Sequence, residues 1–314
     1  VVAYRPNESR ERRVVHLPQG RNLTYVSPAP QPEETNSAIV TSFQTGLTVT
    51  TRHSLILSLL NAYIPHKFFN QLRTQEQLGY LVFSGVSTTL GVGNFLFVLQ
   101  SVVGDPTFLD SRIESFVMNT FKKDMLTITD EEFNQLVDII SDALLETPRT
   151  WTEQAADYLD KINIVGGGDN GTWVKYNFTT LAQSTTKTLA ELQRLNKEDL
   201  IAFCDYYLFS TGTRRRLSVQ EFAGQYPFPP PGLPLANQTM LGSLDVLRGT
   251  RDLFPMGFSP AVADANVEEW TSSKNCGPDE PQPTPPSSFP DNRWILGIFS
   301  LSLSLSLSLS LSLS

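Results

Sequence analysis

The sequence has few cysteines and few histidines, with two and three among its 314 residues. Cys204 and Cys276 lie far apart in segments of different character, which excludes a disulfide framework and a cysteine-rich zinc site. His16, His53 and His66 have no paired ligand nearby, whereas a zinc site needs three or four converging ligands. Neither His-x-x-Glu-His nor His-Glu-x-x-His occurs. We therefore expect no metal site in this chain, and His53 and His66 are predicted to be exposed or capping residues on helices.

Positive charge is scarce as well: 24 lysines and arginines against 32 aspartates and glutamates give a net charge of −8. Without a basic field, nucleic acid is not an expected partner, and the arginines at 214–216 are too few for a polyanion groove. No Gly-x-Ser-x-Gly elbow or phosphate-binding Gly-x-x-x-x-Gly-Lys-Ser/Thr loop occurs. The glycines at 166–168 indicate a flexible loop. Glu131 and Glu132 fit the first turn of a helix, where the dipole favours negative charge.

Apolar residues follow strand spacing in several short segments. Residues 38–44 alternate as a strand with one covered face, and residues 81–83 and 95–103 predict an antiparallel hairpin that turns at 91–94. Two apolar runs around Gln19-Gly20 predict a hairpin-like connector. Residues 216–219 indicate a closing strand.

Helical spacing occupies most of the chain between these strands. Apolar residues return every three or four positions from Thr51 to Leu72, although Pro65 is expected to break or kink this helix. Two further helices are predicted at residues 106–125 and 151–164. Two more are predicted to begin after caps at Thr129 and Asn196, and Ile139 is expected to face inward on the first of these. We therefore predict an α+β fold, an antiparallel sheet with helices packed on one face, followed by an irregular tail.

The domain division follows changes in composition. We expect a connector at 1–30, the main domain at 31–224, a proline-rich extension at 225–257 and a disordered, low-complexity tail at 258–314. The serine-leucine alternation near the end is interpreted as a frame artefact or a nonfunctional terminus. A membrane anchor is the alternative for residues 294–314, but the serine hydroxyls offset the modest gain from each leucine. Because the sequence starts with Val1 rather than Met, we expect a piece of a longer protein.

Candidate chemistry is concentrated in residues 68–85, FFNQLRTQEQLGYLVFSG. On a helix, Phe69, Arg73 and Gln77 share one face, and Tyr80 directly follows the glycine predicted to end that helix. A guanidinium and a phenol at one edge of the sheet can donate hydrogen bonds to a peptide carbonyl. They can equally donate to the oxyanion that forms on that carbonyl during acyl transfer.

A purely structural role for the same residues is the alternative. Arg73 would then pair with Glu76 or Glu132, and Tyr80 would pack as an ordinary strand aromatic. The residues alone leave both interpretations open.

Residues 68–85 resemble the insulinase-type M16 metallopeptidases, in which FNxLRTxEQLGYxVFSG lies in the last of four homologous domains. The similarity extends to residues 5–6, 15–18, 110–116, 195–200 and 214–219, and it continues more weakly to about Pro255. It implies an M16 metallohydrolase-like domain at 31–224, with the proline-rich segment as its terminal extension. From Met256 onward the chain has no counterpart in that family.

The resemblance also implies roles for individual residues. In that family the N-terminal half carries the zinc ligands and the general base, and the C-terminal half closes over it to form a chamber. The motif's arginine and tyrosine, here Arg73 and Tyr80, reach the peptide backbone near the scissile bond, and its phenylalanine, here Phe69, is a pocket wall. The implied function is the C-terminal, substrate-chamber half of a zinc metalloendopeptidase that degrades small peptides.

The chain departs from the family because the zinc-bearing half is missing. We therefore expect zinc to be a cofactor of the full enzyme, bound by the missing N-terminal half and not by this chain, which would be inactive alone. The expected partners are peptide substrates and that half, in cis or as a separate chain. The expected compartment is the cytoplasm, with the mitochondrion or peroxisome as alternatives. A free-standing, noncatalytic peptide-binding or partner subunit is the second hypothesis.

Overall fold

Six strands form a single sheet in a computed structural model of the chain, which describes residues 14–48, 50–89, 91–156, 178–232, 238–243 and 246. The strands are β1 (Arg21–Pro28), β2 (Ser37–Leu47), β3 (Leu81–Thr89), β4 (Val92–Ser101), β5 (Arg215–Phe222) and β6 (Gln238–Met240). Their order across the sheet is β3-β4-β2-β5-β1-β6. The predicted hairpin of β3 and β4 and the strand predicted at residues 38–44, which is part of β2, are confirmed.

The sheet is mixed rather than wholly antiparallel. β3, β4, β2 and β5 pair antiparallel, whereas β1 pairs parallel with both β5 and β6. The hairpin-like pairing predicted around Gln19-Gly20 is wrong, because β1 pairs with β5, which comes after strands β2 to β4 and the helices between them. Such a long connection permits parallel pairing, which a tight turn cannot. β1 thus belongs to the sheet although it falls within the predicted connector.

The helices fill the connections between the strands. They are α1 (Thr51–Phe69), α2 (Pro106–Ser115), α3 (Lys122–Leu126), α4 (Asp130–Leu145), a short helix at 151–156, α5 (Phe178–Leu192) and α6 (Lys197–Cys204). π-helical turns follow three of them, at Asn70–Gln75, Phe116–Phe121 and Asp205–Phe209. The caps predicted at Thr129 and Asn196 are confirmed as capping boxes. Residues 157–164, the glycines at 166–168, Cys276 and the predicted tail lie outside the described residues.

The helix of residues 51–69 continues through Pro65, so the predicted break is wrong. Proline inside a helix costs about 3 kcal/mol because it removes a hydrogen bond and crowds the preceding turn. Ile64 and Phe68, on either side of Pro65, are fully buried. Burial of this apolar face holds the helix together across the proline.

The buried stripe of α2 and α3 repeats at every fourth residue. Its members are all fully buried: Leu109, Ile113, Val117, Phe121 and Met125. In a regular α-helix, each four-residue step would carry the side chain about 40° past a full turn. The wider π turn at Phe116–Phe121 reverses this drift, since it contains more residues per turn. The π turn therefore keeps these residues, spaced four apart, on one buried face.

The larger of two hydrophobic clusters among the described residues lies between the helices and one face of the sheet, and a smaller one includes Leu23 and Leu217. Rings from both layers meet edge to face in the larger cluster, as Phe68 does with Phe97 and Phe116 at centroid distances of 5.0 and 5.2 Å. The predicted α+β architecture is thus confirmed. Two predictions about burial are wrong: Ile139 is 54% exposed, and His53 is only 2% exposed.

Buried arginines in β5 and just before it face this helical layer. Arg216 is paired with Asp110 of α2, whose carboxylate also accepts hydrogen bonds from Thr41 at 3.2 Å and Ser218 at 3.1 Å. Arg214 is paired with Glu114 at 2.7 Å. Buried charges of this kind persist only with such partners.

Candidate functional site

The segment after α1 reverses direction through a left-handed residue. The π turn ends at Gln75, Gln77 has a φ of 53°, and the N–H of Leu78 then donates to the carbonyl of Leu72 at 3.0 Å. The prediction that Gln77 shares a helical face with Phe69 and Arg73 is therefore wrong. The prediction that Gly79 ends the helix is wrong as well, because the helical turns end at Gln75 and Gln77 takes the left-handed conformation typical of a helix end.

Gly79 is required for a different reason. A Cβ atom at this position would lie 1.9 Å from the carbonyl oxygen of Gln100, so no side chain fits between the loop and β4. The neighbouring carbonyl of Leu78 accepts a hydrogen bond from the hydroxyl of Ser101. The backbone that leads into Tyr80 is thereby held against the end of β4.

Arg73 and Tyr80 lie side by side at this point. Nη1 of Arg73 donates to the carbonyl of Gly79 at 2.8 Å, and the guanidinium carbon lies 5.0 Å from the centroid of the Tyr80 ring. A cation at this distance from an aromatic face is attracted by the ring quadrupole. Tyr80 is 83% exposed, so the ring rests on the guanidinium and otherwise projects from the protein.

The structural alternative for these residues is wrong in its particulars. Glu76 is paired with Arg112, and the Glu132 carboxylate accepts from the N–H of Thr129 in the cap of α4. Tyr80 precedes β3 and does not pack within the sheet.

Hydrogen-bond donors remain available at the pair. Within the described ranges, the phenol of Tyr80 has no hydrogen-bond partner, and the guanidinium of Arg73 uses only Nη1. Donors held by a rigid backbone and left free are suited to bind a carbonyl oxygen or the oxyanion derived from it. The arrangement can therefore hold the backbone of an extended ligand.

Two exposed aromatic rings occur near this pair along the chain. Phe69, one helical turn before Arg73, is 47% exposed at the end of α1, and Phe83 on β3 is 54% exposed. Among the described residues, no ring contact joins Phe69 to Tyr80 or Arg73. Phe83 was not singled out from the sequence, although strand alternation places it on the same side of β3 as Leu81.

The Glu76 carboxylate stabilises the loop that carries Arg73 and Tyr80 by accepting hydrogen bonds from two other side chains. Arg112 donates to both of its oxygens, at 2.8 and 2.7 Å, and the side-chain amide of Gln71 donates at 2.8 Å. These hydrogen bonds, that of Arg112 above all, lower the pKa of Glu76 below its usual value of 4.5. Sequence reasoning missed this pair because the residues are 36 positions apart.

No metal-binding group forms within the part of the chain that the structure describes: three or more His, Cys, Asp or Glu side chains converge nowhere in it. His53 is buried between Phe203 and Tyr207, and burial lowers its pKa from 6.5 to about 4. The described residues thus provide no ligand set for the zinc ion that the family resemblance implies.

Comparisons with known proteins show which proteins this chain is similar to. Residues 59–159 match the family described as PQQ synthase PqqF-like, C-terminal lobe domain 4. A stretch of 189 residues is 31% identical to insulin-degrading enzyme of Homo sapiens, covering 60% of this chain and 17% of that enzyme. A stretch of 222 residues is 28% identical to the peroxisomal insulin-degrading enzyme-like 1 of Arabidopsis thaliana, covering 70% of this chain and 21% of that protein.

The fold is similar to a solved structure. The crystal structure of pitrilysin superposes with a TM-score of 0.61 at 22% identity, covering 80% of this chain and 24% of that chain. Together these matches confirm the resemblance of this chain to the C-terminal domains of insulinase-type M16 peptidases, and the pitrilysin structure supports the fold.

The chain spans about a fifth of the length of the curated relatives that it matches. None of the helices in the described ranges is both long enough and apolar enough to cross a membrane.

Proposed function

We propose that this chain is the C-terminal, substrate-chamber part of a zinc metalloendopeptidase that degrades small peptides. It contributes substrate positioning and no zinc ligands. The observation that carries the proposal is the pairing of Arg73 with Tyr80, whose free donors sit on a loop held by Gly79 against β4. The resemblance of residues 68–85 to the family's substrate-contacting motif supports the same roles.

The part of Arg73 and Tyr80 in the reaction is to bind and orient the peptide backbone. The zinc ion, held elsewhere in the enzyme, supplies an activated water. Arg73 and Tyr80 donate to a carbonyl oxygen near the scissile bond, where fixed donors stabilise negative charge more than flexible solvent does. Phe69 contributes an apolar wall beside them. Correct placement of the carbonyl lowers the entropic part of the barrier.

The active enzyme requires a zinc-bearing N-terminal half, either in the same polypeptide or as a partner chain. Alone, the described domain binds peptide without cleaving it. We place the enzyme in the cytoplasm, with the peroxisome and mitochondrion as alternatives. The peroxisomal Arabidopsis relative supports the peroxisome.

The experiment is to measure kcat and KM for a fluorogenic peptide with the enzyme that contains this chain together with its zinc-bearing half. Arg73→Ala and Tyr80→Phe should each reduce kcat/KM about 100-fold, the usual effect of losing one oxyanion donor. Arg149→Ala is the matched control, since Arg149 is 82% exposed and pairs only with nearby residues of its own segment.

The division between kcat and KM identifies the role. A loss in kcat indicates donors that act in the transition state, whereas a rise in KM alone indicates uniform binding of the peptide. If both variants retain the kcat/KM of the parent enzyme, the roles assigned to Arg73 and Tyr80 are wrong.

A further inference from the structure

The connection between β4 and α2 exposes an apolar surface near the loop that carries Tyr80. Val102 and Val103 are more than half exposed, and Phe108 is nearly half exposed. We refer to these three residues as the valine patch. Among the described residues, Val102 and Val103 are the only adjacent pair of exposed large apolar side chains. Single exposed apolar residues are common on soluble proteins, whereas a contiguous apolar surface marks a binding site.

The valine patch is continuous with the candidate site. The hydroxyl of Ser101 donates to the carbonyl of Leu78, and a Cβ atom on Gly79 would lie 3.4 Å from the Cα atom of Ser101. Tyr80 directly follows Gly79, and Val102 directly follows Ser101. Because consecutive Cα atoms are about 3.8 Å apart, the Cα atoms of Tyr80 and Val102 lie within about 13 Å of each other. An extended peptide covers this distance in about four residues.

Hydrogen bonds hold the valine patch in one conformation. The N–H of Val103 donates to the hydroxyl of Ser101 at 3.0 Å, and the N–H of Phe108 donates to the carboxylate of Asp105 at 2.8 Å. The ring of Phe108 packs on Gly104, where a Cβ atom would lie only 2.5 Å from it. A surface that is already ordered loses little conformational entropy when a ligand binds.

The surroundings of the patch favour an uncharged ligand group. Residues 101–104 are Ser-Val-Val-Gly, and the carboxylate of Asp105 is engaged in the cap of α2. Arg112, one helical turn after Phe108, is paired with Glu76. A charged side chain placed on the patch would lose hydration without gaining an ionic partner. An apolar side chain gains free energy there by leaving water.

The size of the patch favours a peptide side chain over a second protein as its occupant. Three side chains that are each about half exposed offer on the order of 300 Å² of apolar surface. A stable interface between two proteins buries about 800 Å² on each partner. One or two ligand side chains are enough to cover the patch.

We infer that Val102, Val103 and Phe108 bind an apolar side chain of the peptide whose backbone is held by Arg73 and Tyr80. This inference rests on the proposed function and specifies its substrate class. Hydrogen bonds from Arg73 and Tyr80 to a backbone carbonyl do not select a sequence, so the preference comes from the patch. The preferred substrates have an apolar residue within about four positions of the bound carbonyl.

The first test compares two fluorescein-labelled, end-capped octapeptides, one of alternating lysine and valine and one of alternating lysine and serine. Their charges are equal, so the ratio of their Kd values for the 314-residue chain, measured by fluorescence anisotropy, reports apolar recognition. The parent chain should bind the valine peptide about tenfold more tightly than the serine peptide. Equal affinity, or no binding of the valine peptide, overturns the inference.

Val103→Ser tests the patch itself, because it removes an exposed apolar group and keeps the N–H that donates to Ser101. The Kd ratio should fall below about threefold through weaker binding of the valine peptide, while the Kd of the serine peptide changes less than about twofold. Ile139→Ser is the matched control, since Ile139 is similarly exposed but lies on α4. It should keep the parent ratio. An unchanged ratio in Val103→Ser overturns the inference.

The second test follows the valine methyl groups by NMR during titration with the valine peptide. The signals of Val102 and Val103 should shift with the Kd that anisotropy gives, whereas those of Val137 on α4 should not. Signals of the patch that stay fixed overturn the inference. Patch signals that shift with protein concentration in the free chain also overturn it, because a second copy then covers the patch. Sedimentation with the zinc-bearing half tests the remaining occupant, and weaker assembly of Val103→Ser with that half is a third overturning result.

Arg73→Ala separates this inference from the proposed function. It should weaken binding of both octapeptides alike, because the bond it removes is to the peptide backbone. If it does so and Val103→Ser leaves the Kd ratio unchanged, the proposed function stands and the role of the patch is wrong. If Val103→Ser lowers the ratio and Arg73→Ala affects neither peptide, the patch stands and the role of Arg73 is wrong.

Discussion

Arg112 of α2 donates two parallel hydrogen bonds of 2.8 and 2.7 Å to the carboxylate of Glu76. Glu76 lies between Arg73 and the left-handed Gln77, so this pair ties the candidate site to a helix that is anchored in the core. Because the planar guanidinium and the planar carboxylate are joined by two hydrogen bonds, their relative orientation is also fixed, whereas a single charge contact would leave it free.

We expect Arg112→Lys to weaken peptide binding although it preserves the charge. Lysine cannot reproduce the two parallel bonds, so the loop that carries Arg73 and Tyr80 should become less ordered. The free energy of unfolding should fall by about 1 kcal/mol and the Kd for peptide should rise several-fold. Urea denaturation and anisotropy titration measure these quantities. Arg149→Lys, at an exposed pair, should change neither, and equal behaviour of the two variants would contradict the positioning role of Arg112.

Gly79→Ala should destabilise the domain by more than about 2 kcal/mol. The new methyl group would overlap the Gln100 carbonyl, and backbone atoms cannot move aside as a flexible side chain can. Gly212→Ala is the control, because a Cβ there has no heavy atom within 4 Å. Comparing the urea midpoints of the two variants tests the prediction, and a Gly79→Ala protein as stable as Gly212→Ala would refute it.

The stability of the fold should decrease between pH 6.5 and pH 4 because of His53. Burial lowers the pKa of His53 to about 4, so in this range the unfolded chain binds a proton that the folded chain does not. By linkage, His53 should reduce the free energy of unfolding by about 3 kcal/mol as the pH falls through this window.

His53→Gln isolates that contribution, since glutamine cannot titrate. The difference in unfolding free energy between pH 7.5 and pH 4.5 should be smaller in the variant than in the parent chain. If both proteins lose the same stability over this interval, His53 does not remain neutral in the fold.

Asp110→Ala should cost about 3–5 kcal/mol, because it removes the carboxylate bonded to the buried guanidinium of Arg216 and leaves that guanidinium only a longer contact of 3.6 Å with Glu114. Asp138→Ala on the exposed side of α4 is the matched control and should lie within about 0.5 kcal/mol of the parent chain. Thermal and urea denaturation of both variants check the difference. A cost for Asp110→Ala no larger than for Asp138→Ala would mean that the buried pair is not formed.

Local elements were largely predictable because their signals are contained in short windows. Apolar spacing located β2, the β3-β4 hairpin and the stripe from Leu109 to Met125, and side-chain chemistry located both capping boxes. The continuity of α1 through Pro65 was not predictable in this way. Local propensity disfavours proline, and only burial against the sheet outweighs it.

The candidate site was predictable in part. Its motif is contiguous, so residues 68–85 could be singled out together with Phe69, Arg73 and Tyr80. The contacts that hold it are not contiguous: Gly79 meets Gln100, Leu78 meets Ser101, and Glu76 meets Arg112. Nothing in the spacing of these residues shows that the fold brings them together.

The sequence by itself determined the class of fold, the helix caps and the segment where chemistry is concentrated, because those depend on neighbours within a few residues. Only the tertiary structure decided that β1 pairs parallel with β5, that β3 is an edge of the described sheet, and that the Arg73 and Tyr80 side chains keep donors without a partner among the described residues. Each of these depends on which distant groups occupy the same space. A hydrogen-bond donor is free or engaged according to that packing, and the order of residues along the chain does not specify it.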